Sequence, residues 1–155
     1  TVLCGVSGHL NACSLVPLLE AFEASDTEVS APVMPGFKVA GIERGSDDGN
    51  FGSCSDFGFI TFKLSGNYPP QGYIFERVKG EFEDRLFEPV AVIPSKFVDD
   101  NASFTFVWLD GSSNEQEPIT FTVSIVAVNG AGERSEPQYL EVKDPGVAPS
   151  WWKFW

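Results

Sequence analysis

Residues 119–137 read ITFTVSIVAVNGAGERSEP, and the first ten of them decide the fold. Ile119, Phe121, Val123, Ile125 and Ala127 fall on one face, while Thr120, Thr122 and Ser124 fall on the other. Val126 and Val128 take over at the end of the run. Alternation of this kind marks a half-buried β-strand, in which successive side chains point to opposite faces. Gly130, Ala131 and Gly132 then turn the chain, and residues 139–142 supply a last strand.

Period two persists upstream. Residues 37–42 open a first strand, with Gly41 at a candidate bulge. Residues 43–56 (ERGSDDGNFGSCSD) are loop chemistry, rich in Gly, Ser, Asn and Asp. Residues 59–64 set Ile60, Phe62 and Leu64 against Thr61 and Lys63, and residues 73–78 give a third strand. Residues 82–87 and 90–93 are shorter candidates, broken by Pro89 and Pro94. Residues 102–109 alternate Phe104, Phe106 and Trp108 with Thr105, Val107 and Leu109, so both faces are largely apolar. Such a strand is buried on two sides or lies partly under a loop. About seven short strands with turn residues at regular spacing predict an all-β antiparallel β-sandwich. Its expected core joins Ile60, Phe62, Leu64, Trp108, Phe121, Val123 and Ile125.

One stretch follows a different period. Leu15, Leu18, Leu19 and Phe22 form an i, i+3, i+4, i+7 stripe behind Ser14, with Pro17 suited to a first turn. A short helical segment is expected there. Residues 26–36 carry two Pro and a Gly without a period and read as a linker. The expected organisation is a signal-peptide remnant over 1–12, helix and linker over 13–36, a sandwich over 37–145 and an aromatic tail over 146–155.

The run from Phe121 to Pro137 resembles the penultimate strand, hairpin and final strand of fibronectin type III domains, within the immunoglobulin-like superfamily of sandwiches. Val123, Ile125, Ala127, Asn129, Gly132, Ser135 and Pro137 match that family's places. Asn129, Gly130 and Gly132 tolerate the positive φ that a tight hairpin needs. Phe121 takes the place of the corner tyrosine, so that corner's hydroxyl bond is missing. No Trp follows the strand at 59–64, where the family sets its core Trp; Trp108 is placed to substitute. The resemblance implies a spacer or binding module, since such sandwiches host many functions.

Hydrophobic residues at 43% and charged residues at 21% are the balance of a soluble globular domain, and 155 residues can bury a real core. The formal charge of −12 excludes a nucleic-acid partner, which needs clustered Lys and Arg, and disfavours docking on anionic membranes. Residues 1–12 (TVLCGVSGHLNA) resemble the back half of a secretory signal peptide ahead of Cys13. Residues 10–13 also resemble a bacterial lipobox, with Asn unusual at its second position. Removing residues 1–12 takes Cys4 and leaves Cys13 and Cys54, which in an oxidising compartment pair as a disulfide. A lipidated Cys13 would exclude that bond. The expected location is secreted, periplasmic or cell-envelope.

Candidate chemistry is thin. His9 is the only histidine, so zinc, copper and haem sites lack ligands, and no phosphate, dinucleotide or nucleophile-elbow motif occurs. Asp47, Asp48, Asn50 and Asp56 crowd one loop and form a weak calcium candidate. Asp110, Ser112 and Asn114 mimic the start of a calcium loop but lack its later Gly and Glu. Glu76, Glu81, Glu83, Asp84 and Glu88 could supply a glycosidase-like carboxyl pair, as any acidic surface can. The tail carries Trp151, Trp152, Phe154 and Trp155, and burying each such ring is worth roughly 1.5–3 kcal/mol. The expected role is a non-catalytic extracytoplasmic module without cofactor, contacting a protein or cell-envelope partner, with the tail as its contact surface. Membrane contact through the tail or a lipidated Cys13 is the lesser expectation. The rival is a carbohydrate-binding module that stacks sugars on the tail or on Tyr68 and Tyr73.

Overall fold

The computed structural model describes residues 17–25, 30–46, 48–50, 53–82, 85–96, 102–111 and 116–147. Eight strands run through them: β1 (Leu19–Ala21), β2 (Phe37–Glu43), β3 (Phe57–Leu64), β4 (Gly72–Glu81), β5 (Val92–Pro94), β6 (Ser103–Leu109), β7 (Ile119–Val128) and β8 (Gln138–Asp144). They form a five-stranded sheet, β1-β5-β4-β7-β8, and a three-stranded sheet, β2-β3-β6. Every pairing is antiparallel. The fold is therefore the all-β sandwich that the alternation predicts.

The inner faces meet in an aromatic core. Phe37, Phe62, Phe75, Phe104, Phe106, Trp108 and Phe121 are buried, with Ile60, Val123, Ile125 and Val142 fully enclosed. Register follows the sequence pattern: Ile60 lies opposite Phe106, Phe62 opposite Phe104, and Phe121 opposite Val142. A slip of one residue would send this whole set to solvent. Of the expected core, only Leu64 stays partly open, packed against the cluster from its edge. Many ring pairs meet edge-on, including Phe37–Phe104 at 5.1 Å and Phe75–Phe106 at 4.8 Å, the arrangement the ring quadrupoles favour.

Trp108 is buried in the core, as the sequence predicts. It packs on Gly58, where an added Cβ would come within 2.3 Å of the indole ring. Its indole N–H donates to Asp110 at 3.1 Å. The expected bulge at Gly41 is also present, as a register shift between Val39 and Gly41.

Two side-chain ties close the seam where edge strands β2 and β8 meet. The Gln138 amide accepts from the Phe37 N–H at 2.7 Å and donates to the Phe37 carbonyl at 2.8 Å. At the far end Arg44 donates to Asp144 at 2.8 Å. These contacts make the two strands run in the same direction along the seam, with side chains in place of a backbone ladder.

The structure corrects the sequence reading in three places. The N-terminal segment is an edge strand, not a helix: the Phe22 N–H donates to the Ala91 carbonyl and the Ser95 N–H to the Leu18 carbonyl. A helix this short is marginal in water. Strand β5, joined to β4 only through Tyr73 and Val92, offers the segment a bare edge to pair with. Residues 30–36 form no helix or strand, as the linker reading expects, and Val33 exchanges two hydrogen bonds with the buried Gln71 side chain. In the segment from Phe82 to Phe87, the described residues form no strand, and Phe82 and Phe87 plug the core beside Trp108, Phe121 and Phe106. In the β7–β8 hairpin only Gly132 has positive φ, at 80°. Asn129 serves through its side chain: its oxygen accepts from the Ala131 and Glu133 N–H groups, and its amide donates to the Ser30 carbonyl and Glu133.

Candidate functional site

Strand β3 points Gly58, Ile60 and Phe62 inward, so Phe57, Phe59, Thr61 and Lys63 face out. Strand β6 buries Phe104, Phe106 and Trp108 and turns Ser103, Thr105, Val107 and Leu109 the same way. The register sets Phe57 opposite Leu109 and Phe59 opposite Val107, two apolar cross-strand pairs side by side. Leu109 is 56% exposed, and the other three are half-buried. Beyond them the Thr61 and Thr105 hydroxyls hydrogen-bond at 2.9 Å. Gly41 lies opposite Thr61 with open space where a Cβ would stand, and Glu43 borders Phe59. The result is an apolar shelf with a polar border, which explains why β6 reads as apolar on both faces.

At one end of the sandwich lies a charged centre that sequence reasoning missed. Arg44 donates through Nε and Nη2 to Asp110, both at 2.9 Å, and through Nη1 to Asp144. The Gly45 N–H and the Trp108 indole also donate to Asp110, at 2.7 and 3.1 Å. The Gln116 amide donates to the Gly45 carbonyl. The Asp110 hydrogen bonds, reinforced by Asp144, raise the Arg44 pKa above its ordinary value against the opposing effect of burial. The centre borders a hollow of about 520 Å³ with Arg77, Glu81 and Pro118 on its other walls. Because these partners lie 66 and 100 residues from Arg44, no local spacing signals them.

Of the weak calcium candidates, Asp48, Asn50 and Asp56 are among the described residues. Asp56 caps the short 3₁₀ turn Cys54–Asp56 by accepting from the Ser53 N–H at 3.1 Å, and it is buried. Asp48 accepts from the Asn50 N–H at 2.8 Å, a bond that holds its carboxyl below the usual range. Asp110 is bound to Arg44. No group of three or more His, Cys, Asp or Glu side chains able to hold a metal occurs among the described residues. Asp47, Ser112 and Asn114 lie outside them.

Tyr73 is not a sugar platform: it is 3% exposed, packs edge-on to Phe37 at 5.0 Å and receives a hydrogen bond from Gln71 at 3.1 Å. Burial raises its phenol pKa. Tyr68 is half-buried with its hydroxyl against Gly36. Among the carboxylates considered for acid–base work, Glu76, Glu81 and Glu88 are exposed, and Glu88 pairs with Arg85 at 2.9 Å. Glu83 and Asp84 lie outside the described residues, as do Cys13, the lipobox and Trp151, Trp152, Phe154 and Trp155. No described helix is long and apolar enough to cross a membrane. Compared with protein-family models, curated proteins and solved structures, the chain matches none.

Proposed function

We propose that this chain is a non-catalytic, extracytoplasmic binding or structural module of the fibronectin type III-like kind, which contacts a protein partner through the outer face of its β2-β3-β6 sheet. The observation that carries this reading is the apolar shelf of Phe57, Phe59, Val107 and Leu109. Apolar side chains grouped within a polar border suit a partner that covers them. Strands hold the shelf on a rigid frame, so little ordering cost opposes association.

The strand order supports the family. Numbering the seven strands from β2 to β8, the fourth pairs with the third rather than joining the first, second and fifth, unlike a constant-type immunoglobulin domain. The non-catalytic reading rests on the fate of the polar groups. Asp48, Asp56 and Asp110 are engaged in turns and ion pairing that hold the frame. We also propose the Cys13–Cys54 disulfide and secretion, as the cysteine count suggests; Cys54 is exposed at the start of its turn.

A photo-crosslinker at position 109, with a second at position 139 on the opposite sheet, tests the contact in cells that make the protein. Adducts to a defined protein from position 109 alone, lost on Val107→Lys, are expected. Equal labelling from both positions, or adducts untouched by Val107→Lys, would overturn it.

A further inference from the structure

The chain carries four arginines against 22 acidic residues, and three of the four line one cleft. Arg77 comes from β4, Arg85 from the segment after it, and Arg134 from the connection between β7 and β8, where it bridges Val128. The topology thus brings Arg134 to Arg77 and Arg85 from a distant part of the chain. Glu76 is the one acidic residue on this lining among the described residues. Its apolar side is formed by half-buried Phe82 and Phe87 lying over the core: Phe87 stacks on buried Phe75 at 6.1 Å, and Phe82 lies against buried Phe121 at 5.8 Å. The cleft encloses about 360 Å³.

From this geometry we propose that the cleft binds a small organic anion, a carboxylate on an apolar body. Ligand clefts run from roughly 300 to 1,000 Å³, mostly apolar with a few convergent polar groups. Guanidinium groups give carboxylates paired, charge-assisted hydrogen bonds. Among the described residues, three arginines against Glu76 on the lining and Glu88 paired with Arg85 leave the cleft positive within a chain of −12, a local field that favours anions. Among the described residues, neither Arg77 nor Arg134 forms an ion pair. Arg77 donates one hydrogen bond to the Phe82 carbonyl, which fixes its position. Arg85 forms an exposed pair with Glu88, which a ligand can displace. Half-buried Phe82, Leu86 and Phe87 supply the apolar contact, so the body of the ligand matters as much as its head.

Three probes separate these contributions: phenylbutyrate, its neutral amide and inorganic phosphate, each titrated into isotope-labelled full-length protein and followed by amide chemical shifts. Phenylbutyrate is expected to give saturable shifts centred on Ile74, Leu86 and Phe87. The amide and phosphate should each bind at least about tenfold more weakly, and the Arg85→Gln/Arg134→Gln double variant should weaken phenylbutyrate by a similar factor. Both arginines are exposed, so the variant keeps its fold, which its spectrum verifies. Lys38→Gln, on the other sheet, removes a like charge and should change nothing. Equal binding of the amide would remove the electrostatic basis, and equal binding of phosphate would remove the apolar one. Shifts scattered over the surface, no saturable binding, or an equal loss in Lys38→Gln would overturn the site.

Discussion

Asp110 accepts four hydrogen bonds: two from the Arg44 guanidinium, one from the Gly45 N–H and one from the Trp108 indole. Its side chain is 5% exposed and that of Arg44 15%, so the pair exchanges little of its attraction for hydration. Breaking such a pair by removing one partner costs more than the pair contributes, because the remaining charge stays buried. Asp110→Ala leaves Arg44 with Asp144, the Glu117 carbonyl and two orphaned nitrogens. The expected loss is about 3 kcal/mol, at the low end for such pairs because Asp144 remains. Urea denaturation measures it. Glu88→Ala, which breaks an exposed pair, should change stability by less than about 1 kcal/mol. Equal effects of the two substitutions would show that Asp110 is as well solvated as a surface carboxylate.

At the scale of the strand, what decides is whether a side chain has room. A Cβ on Gly58 would meet the Trp108 ring at 2.3 Å, while a Cβ on Gly41 would meet nothing within 4 Å. Neither glycine has positive φ, so alanine suits both backbones. Gly58→Ala should therefore lift the indole from its seat and cost about 1–3 kcal/mol, the usual range for overpacking. Gly41→Ala should leave stability unchanged or raise it by about 0.4–1 kcal/mol, by restricting the unfolded chain. Thermal melts of the two variants check the contrast; a destabilised Gly41→Ala would mean that the bulge needs more freedom than its φ implies. Strands of this kind were legible in the sequence because burial on one face writes itself as alternation. Strand β7 and the inward residues of β3 and β6 are placed by that pattern. The N-terminal strand was not legible, because three paired residues carry no period and Leu15, Leu18, Leu19 and Phe22 suggest a helix. Nor was the role of Phe82 and Phe87, which fill gaps set by Trp108 and Phe106. For the sites, sequence could pick out Asp110 as a chemically able group but not Arg44 as its partner. It could see that β6 is apolar on both faces, but not that Phe57 and Phe59 would meet Val107 and Leu109.

Across the whole molecule, 22 acidic residues against 10 basic ones leave a charge of −12, and most of the described acidic residues are exposed. Self-repulsion of that kind opposes the compact state. Two terms compete as salt is added: screening relieves the repulsion, and it also weakens favourable pairs. Among the described residues, the pairs seen divide by exposure. Arg85–Glu88 and Lys143–Glu141 are open to water and contribute little, while Arg44 with Asp110 and Asp144 is largely shielded from ions. Relief of repulsion should therefore win. Raising sodium chloride from about 0.01 to 1 M shortens the screening length from about 30 to 3 Å. If this recovers about 1 kcal/mol, the melting temperature should rise by about 2–4 °C for a chain of this size. Chloride is the right salt, because sulfate stabilises by exclusion from any protein surface. The same titration near pH 4.3, where the net charge of the sequence vanishes, separates the causes. There the repulsion is gone, and the rise should disappear with it. A melting temperature that falls with salt at neutral pH would instead mean that exposed ion pairs hold the sandwich together, and the Arg44 centre would lose its place as the dominant electrostatic contact of the fold.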